Sequence, residues 1–431
     1  MSDSSVPFQY RVHPPLDPRL PANQPAIAKM YLTAYRRIKE GHNLGDYFLR
    51  VYRRDPGGAD NTLQELESYF HDADLYLDDL LRLLPERIAF PLRPLPRIRR
   101  VNNIRELFLR AFEERVPRLR YEAQRKLYLA KLLFDVDHCR SIRDAPQHKE
   151  HWDNLLDEIL WAEAENADQI EICAVLEHGV RGRQHLAIVP TRAATDVRCW
   201  KFPVRSVATR LGKRKIQIYH YRSRFKRAAT PAPDLEVKSG FWHANELPRW
   251  PGLGRRSGSI VSKMIRRGID DPRQIQDVIG AMFIVGNRHD AYSLERKLVH
   301  AFGGPFRWRD RVDTLTNERD RGKLDANSGS GFRVLKEIAD ILIKDPVSPV
   351  PYFFSVEVQI YPVEDYLRTL YDAHFASHTS YKRRQFLREL LPLLFPPYIY
   401  GDEIERLTNG DDDARAGDAD DESVTPKPMS T

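Results

Sequence analysis

Apolar side chains in the N-terminal third of the chain recur at helical spacing. Between residues 63 and 84 they lie three or four positions apart and form one continuous stripe, which predicts an amphipathic helix. Pro85 ends this helix because proline has no backbone N–H to donate. Asn103, with Glu106 three positions later, predicts the start of another helix. Two further helices are predicted over about 118–143 and 149–166.

The pattern changes at Asp168, where short segments rich in β-branched and aromatic residues begin and predict strands. These segments are QIEICAVLEHG (169–179), RQHLAIVP (183–190), DVRCWKFPV (196–204) and KIQIYHYRSRF (215–225). Further helices are predicted over about 258–267, 289–302 and 363–377, and strands over 277–286 and 352–361. Helices that alternate with strands indicate an α/β or α+β domain with a central sheet.

These patterns divide the chain into segments of different character. Residues 1–25 are rich in proline and are predicted to be an extended or disordered arm, whereas residues 26–166 are mostly helical. Residues 167–215 are a β-rich segment to which the sequence assigns no role. Residues 216–400 contain the alternating helices and strands, and residues 411–431 are an acidic tail predicted to be disordered.

The chain is basic, with a net charge of +7 and a pI of about 9.1. A positive protein surface favours phosphate-rich ligands of any size. Charge alone therefore does not distinguish a nucleotide from RNA.

The cysteines and the apolar runs indicate the compartment. Cys139, Cys173 and Cys199 are far apart and form no C-x-x-C pair, so neither a disulfide framework nor a zinc site is predicted. The sequence contains no apolar run that approaches the length needed to cross a bilayer, and the N-terminus lacks the pattern of a secretory signal. We therefore expect a cytoplasmic protein that does not bind membranes.

Two carboxylates are candidate ligands for a hard cation. Side chains alternate across a strand, so Ser355, Glu357, Gln359 and Tyr361 are expected to share one face of the strand FFSVEVQIY. Asp277 comes directly before an apolar strand, a position that fixes a carboxylate and leaves room for phosphates. On spacing alone, a solvent-facing strand and a turn aspartate explain the same residues.

Basic residues are predicted to converge in the same region. Arg222, Arg224 and Lys226 alternate along one strand, and Lys263 follows Ser259 by one helical turn near the start of a helix. Basic groups at a helix N-terminus suit a polyphosphate. A solvated basic face is the alternative.

A loop rich in small residues precedes Phe332 in the segment NSGSGFRVLKEI (327–338). Small residues allow the backbone to approach a ligand closely, and an aromatic face can stack on a nucleobase. The alternative is that Phe332 is simply the first core residue of the next element.

The order of these motifs resembles that of the RelA/SpoT synthetase family over residues 219–400. The matching segments are R-F-K (224–226), S-I-V-S-K-M (259–264), D-V-I-G-A-M-F-I-V (277–285), D-A-Y (290–292), S-G-F-R-V-L-K (330–336), E-V-Q-I (357–360) and H-T-S-Y-K (378–382). The resemblance implies an α+β fold, in which a mixed central sheet is flanked by helices, with a mostly helical N-terminal region.

The resemblance also implies residue roles. Asp277 and Glu357 would hold Mg²⁺, and Glu357 would activate the 3′-hydroxyl of the acceptor. The residues that would cradle the phosphates of ATP are Arg224, Lys226, Ser259 and Lys263. The residues on the acceptor side would be Phe332, which replaces a stacking tyrosine, together with Ser330, Lys336, Gln359 and His378.

The implied reaction moves the β,γ-pyrophosphate of ATP to the 3′-hydroxyl of a guanosine nucleotide. The chain departs from the family pattern mainly on the acceptor side, at Ser330, Phe332 and Lys336. Two alternatives therefore stay open: a toxin-like enzyme that modifies an adenosine nucleotide or the CCA end of tRNA, and a non-catalytic nucleotide-binding module. His71 and Asp72 are interpreted as helix-surface residues, because a hydrolase site needs further His and Asp ligands at a distance and the motif that flanks such a pair is absent.

Overall fold

The computed structural model contains two compact units. It describes residues 24–42, 59–178, 184–189, 197–209, 214–225, 258–269, 271–316, 333–344, 350–370 and 383–408. The helical unit comprises Met1–Phe134, Val261–Asp270 and Arg383–Thr431, and the sheet unit comprises Asp135–Ile260 and Asp271–Lys382.

Short and medium-length helices build the helical unit. They are α1 (Gln24–Lys39), α2 (Ala59–Leu81), α3 (Glu86–Leu92), α4 (Pro96–Arg99), α5 (Ile104–Glu113) and α6 (Pro117–His138), whose last four residues belong to the sheet unit. The predicted stripe forms α2, which ends before Pro85, and His71 is exposed on it. The Asn103 side chain accepts a hydrogen bond from the Glu106 N–H at 3.1 Å and so caps α5 as predicted.

Buried charges tie the helical unit together. The Lys126 ammonium lies 2.9 Å from the Asp74 carboxylate, and both side chains are almost fully buried. Arg125 is also buried, where it donates a hydrogen bond to the Leu394 carbonyl and lies 4.6 Å from the centre of the Phe395 ring. Through these contacts with Arg125, the segment around Leu394 and Phe395 packs into the core of this unit.

The sheet unit begins with two helices, α7 (Arg140–Arg143) and α8 (Ala145–Leu156), and a π-helical turn, Asp157–Trp161. Its strands are β1 (Glu165–His178), β2 (Gln184–Val189), β3 (Arg198–Ala208), β4 (Lys215–Phe225), β5 (Ile279–Val285), β6 (Trp308–Asp313), β7 (Leu335–Ile343) and β8 (Tyr352–Pro362). The remaining helices in the described part of the chain are α9 (Gly258–Arg267), α10 (Arg288–Ala301), α11 (Val363–Leu370), α12 (Leu391–Leu394), α13 (Pro397–Tyr400) and α14 (Glu403–Thr408), with short 3₁₀ or π segments at Pro272–Gln274, Pro305–Arg307 and Phe386–Leu390.

The eight strands form one sheet in the order β2-β1-β3-β4-β5-β8-β7-β6. β5 and β8 are parallel, and the other neighbouring pairs are antiparallel. The predicted α+β fold with a mixed sheet flanked by helices is therefore confirmed. The strands of the β-rich segment 167–215 belong to this same sheet.

The sheet has two differently used faces. On one face, which we call the polar face, α11 covers an apolar cluster that includes Phe202, Tyr219 and Ile284. On the opposite face, which we call the back face, α8 packs against β4, and Trp152 stacks on Phe302 with ring centres 4.8 Å apart. The polar face beyond α11 carries the charged residues described below.

Two strands and one helix end differ from the predictions. The helix expected over 149–166 ends earlier, because β1 begins at Glu165. The segment 335–338, interpreted as part of a loop, opens β7, and no strand was predicted at β6. Both strands carry charged residues on each face, which hides the two-residue alternation of a half-buried strand.

The absence of a disulfide was predicted wrongly. Cys173 and Cys199 are register partners on β1 and β3, with Cα atoms 4.0 Å apart, and the structure joins them by a disulfide. Glu171 lies beside them, and the three side chains form the one cluster of potential metal ligands among the described residues. The disulfide engages both sulfurs.

None of the described helices combines the length and the apolar character needed to span a bilayer.

Candidate active site

A chain of hydrogen bonds runs along the polar face of β8. Glu357 is only 5% exposed, and its Oε1 accepts a hydrogen bond from Gln359 Nε2 at 2.6 Å. The Oε1 of Gln359 accepts in turn from the Tyr361 hydroxyl at 3.1 Å. The three side chains share one face, as the alternation predicted, and the amide holds the carboxylate in one orientation.

Lys336 contacts the same carboxylate from the neighbouring strand. It pairs in register with Gln359 across β7 and β8, and its Nζ lies 3.2 Å from Glu357 Oε2. Long side chains reach diagonal positions across a sheet. The ammonium therefore compensates a carboxylate whose burial would otherwise be costly.

Gly280 opens the other flank of Glu357. In register, Arg224 on β4 pairs with Gly280 on β5, and Gly280 pairs with Glu357 on β8. A Cβ placed at position 280 would lie 3.9 Å from both Cγ and Nε of Arg224. The Arg224 side chain therefore lies over the glycine, in the space between its own strand and the strand of Glu357.

Two arginines occupy alternate positions of β4 on the polar face. Arg222 pairs with Met282 and Arg224 with Gly280, so the two guanidinium groups share one face, as predicted. Burial, followed by the charge of Arg224, lowers the pKa of Arg222. An anion bound between them would relieve this repulsion.

Asp277 lies in the segment that leads into β5, three positions before Gly280. Asp277 is buried, with 8% of its surface exposed. β8, which carries Glu357, is the parallel neighbour of β5, and Asp277 lies two positions before the first residue of β5.

The predicted phosphate ligands on α9 are described in part by the structure. Ser259 is exposed and Lys263 half-buried, one turn apart on this helix. From Val261 onward α9 belongs to the helical unit, where the Ser262 hydroxyl lies 2.7 Å from that of Tyr76. The roles of Ser259 and Lys263 stay predictions.

Four candidate residues lie outside the described part of the chain: Lys226, Ser330, Phe332 and His378. Their predicted roles are neither supported nor contradicted. Of the candidates that are described, Glu357, Gln359 and Lys336 are in direct contact. Arg224 lies on the same face two strands away, across Gly280.

The sequence interpretation missed a hydrogen-bond network around Arg309, which reaches β8 at Ser355, two residues before Glu357. Arg309 on β6 donates two hydrogen bonds to Asp340, each of 3.0 Å, and one of 3.0 Å to Ser355. Ser355 had been predicted on the polar face. No sequence signal identified Arg309, because a bulge in β6 determines which face it occupies.

The chain is similar to several solved structures. Small alarmone synthetase 1 from Bacillus subtilis, bound to its product pppGpp, is 15% identical, and the match covers 37% of this chain and 73% of that chain with a TM-score of 0.22. Small alarmone synthetase 2 from Bacillus subtilis is 18% identical, with coverage of 47% and 78% and a TM-score of 0.22. A GTP pyrophosphokinase family protein from Streptococcus pneumoniae is 17% identical, with coverage of 39% and 75% and a TM-score of 0.21.

Scores and identities this low do not assign the chain to a family. No protein-family profile and no curated protein matches the chain.

Proposed function

We propose that the sheet unit is an ATP-dependent pyrophosphotransferase that acts on the 3′-hydroxyl of a guanosine nucleotide. The observation that carries this proposal is the arrangement around Glu357, a buried carboxylate flanked by Lys336 on one strand and by Arg224 across Gly280 on the other side. The same residues stand in the order of the synthetase motifs. Phosphoryl-transfer sites require such a combination of a proton acceptor and fixed cations.

Glu357 is the proposed general base. Its carboxylate would accept the proton of the 3′-hydroxyl while the hydroxyl oxygen bonds to the β-phosphorus of ATP. The bond from that phosphorus to the oxygen shared with the α-phosphate breaks, and AMP leaves with the bridging oxygen. Gln359, at 2.6 Å, would keep the carboxylate aimed at the hydroxyl.

The cations on the polar face would neutralise the polyphosphate. Arg224 would present its guanidinium beside the reacting phosphorus, and Arg222 stands next to it on the same strand. Charge spreads over the phosphoryl oxygens in the transition state, so fixed cations there lower the barrier. Lys226, Ser259 and Lys263 are the further predicted phosphate ligands.

Asp277 and Glu357 fit a magnesium ion by their chemistry. Both are carboxylates in largely buried residues, and Mg²⁺ in nucleotide enzymes is held by one or two carboxylates together with substrate phosphates. When bound, Mg²⁺ would supply charge neutralisation for the phosphates of ATP. Asp277 would orient the bound nucleotide complex relative to Glu357, the proposed base.

The identity of the acceptor is tested by offering several candidate substrates. Lys336, which stands where the family has a histidine, lies against Glu357 on the acceptor side. Purified protein would be incubated with ATP labelled on its β,γ-phosphates, and GDP, GTP, AMP and tRNA would be offered in turn. Product analysis by thin-layer chromatography then identifies the acceptor.

The variants Glu357→Gln and Asp277→Asn are expected to abolish transfer. Glu150→Gln, at an exposed carboxylate on α8, is the matched control and should retain it. Transfer to a guanosine nucleotide supports the proposal, and transfer to tRNA or AMP alone replaces it with the toxin-like activity. Nucleotide binding with no transfer to any acceptor would show a non-catalytic module.

A further inference from the structure

Arg309 connects three separate segments of the polar face. It donates two hydrogen bonds to Asp340 on β7 and a third to Ser355 on β8. The Ser355 hydroxyl also donates to Asp340 Oδ1 at 2.7 Å. Burial alone would raise the pKa of Asp340, but the hydrogen bonds from Arg309 and Ser355 outweigh it and lower that pKa.

The remaining end of the Arg309 guanidinium faces the segment before β5. Its Nη1 donates to Gln276 Oε1 at 2.5 Å, and Gln276 directly precedes Asp277. Ser355 lies two residues before Glu357 on the same face of β8. The Arg309 guanidinium therefore links Gln276, which precedes Asp277, to Ser355, which lies close to Glu357 along β8.

A β-bulge gives Arg309 this position. Arg309 pairs with Ile338, but Val312 pairs with Lys336, so β6 carries one extra residue. Asp310, the residue after Arg309, has a φ of 54°, in the left-handed region. Residues two apart normally share a face, yet here Arg309 lies on the polar face and Arg311 contacts Glu337 and Glu295 on the back face.

We propose that Arg309 is a positioning residue that holds Asp277 at a fixed place relative to Glu357. The inference rests on the proposed function in that these two carboxylates are taken as the metal-binding pair. Arg309 touches no reacting atom in this scheme and acts through Gln276 and Ser355. A planar guanidinium is needed because lysine cannot make the bidentate contact with Asp340 and still reach both other partners.

The test compares Arg309→Lys with Arg311→Lys, the same substitution two residues away on the opposite face. Hydrogen exchange of the amides of residues 275–279 reports the position of the segment without any ligand, and electron paramagnetic resonance reports binding of Mn²⁺ as a magnesium substitute. We expect Arg309→Lys to speed exchange in this segment several-fold and to weaken Mn²⁺ about 10-fold or more. Arg311→Lys should change neither quantity.

Gln276→Ala supplies a second variant with little risk to folding, because Gln276 is exposed. It removes only the link to Asp277 and should reproduce the faster exchange and the weaker Mn²⁺ binding. In the transfer assay both variants should lower kcat more than they raise the KM for the acceptor. Unchanged exchange in Arg309→Lys and Gln276→Ala would overturn the inference.

The inference and the proposed function fail in different ways. If the wild type neither binds Mn²⁺ nor transfers pyrophosphate, the proposed function is wrong. Faster exchange in the two variants would still show that Arg309 holds residues 275–279 in place. If the wild type is active and both variants match it in Mn²⁺ affinity and kcat, Arg309 has no positioning role.

Discussion

Lys336 and Glu357 form an ion pair across β7 and β8, with Nζ 3.2 Å from Oε2. The Glu357 side chain is 7% exposed and that of Lys336 is 31% exposed, so the carboxylate depends on the lysine more than the reverse. In the proposed function, a metal or a substrate hydroxyl at Glu357 would therefore bind beside this ammonium.

Substitution of Lys336 by methionine should expose this dependence. Lys336→Met leaves Glu357 buried without its cation, and we expect the free energy of unfolding at pH 7 to fall by about 1–3 kcal/mol. Urea denaturation measures the loss. Lys336→Arg keeps the charge and should lose less, and equal stability of the methionine variant and wild type would contradict the dependence.

The absence of a side chain at Gly280 can be tested through Arg224. A Cβ at position 280 would meet Arg224 and the Glu357 carbonyl at 3.9 Å, which is ordinary contact. Gly280→Ala is therefore expected to fold and to bind ATP nearly as the wild type does. The branched side chain in Gly280→Val should displace the guanidinium and weaken ATP about 10-fold, the equivalent of a lost charged hydrogen bond.

Isothermal titration calorimetry with ATP separates the two glycine variants. The alanine variant serves as the matched control, because it adds a Cβ without the branches that reach Arg224. Equal ATP affinity in the alanine and valine variants would show that Arg224 does not need the open space. In that case the open space at Gly280 is not what positions the guanidinium for the phosphates.

Local signals in the sequence identified much of the fold and the shared strand face of several candidate site residues. The helix over 258–267 and the shared face of Glu357 and Gln359 follow from period and alternation alone. The disulfide could not be predicted, because Cys173 and Cys199 become neighbours only through the register of β1 with β3. Arg309 was missed for a similar reason, since the β6 bulge breaks the rule that alternate residues share a face.

Breaking a buried ion pair in the helical unit should lower the free energy of unfolding far more than breaking an exposed one. Lys126 Nζ contacts Asp74 and also donates to the carbonyls of Ile98 and Arg99. Lys126→Ala is expected to lower the free energy of unfolding by about 3–5 kcal/mol, because it leaves a buried carboxylate unpaired. Lys39→Ala breaks the exposed pair with Glu113 and should have no measurable effect in the same denaturation series.

The back face of the sheet predicts a pH dependence of stability. Burial, followed by the hydrogen bond and the charge of Glu295, raises the pKa of Glu337 from 4.5 to about 8, and Arg311 only partly opposes this. An acid with a higher pKa in the folded state binds its proton more tightly there. Its contribution to stability is therefore complete below about pH 4.5 and is lost as the pH rises through about 8.

Glu337→Gln should remove this dependence, because the amide mimics the protonated acid and cannot ionise. Between pH 5 and pH 8.5 we expect the wild type to lose about 4 kcal/mol more unfolding free energy than the variant. Urea denaturation at the two pH values measures the difference, with Glu150→Gln as the control that should follow the wild type. Parallel losses in wild type and Glu337→Gln would mean that Glu337 is already ionised in the folded protein near pH 5.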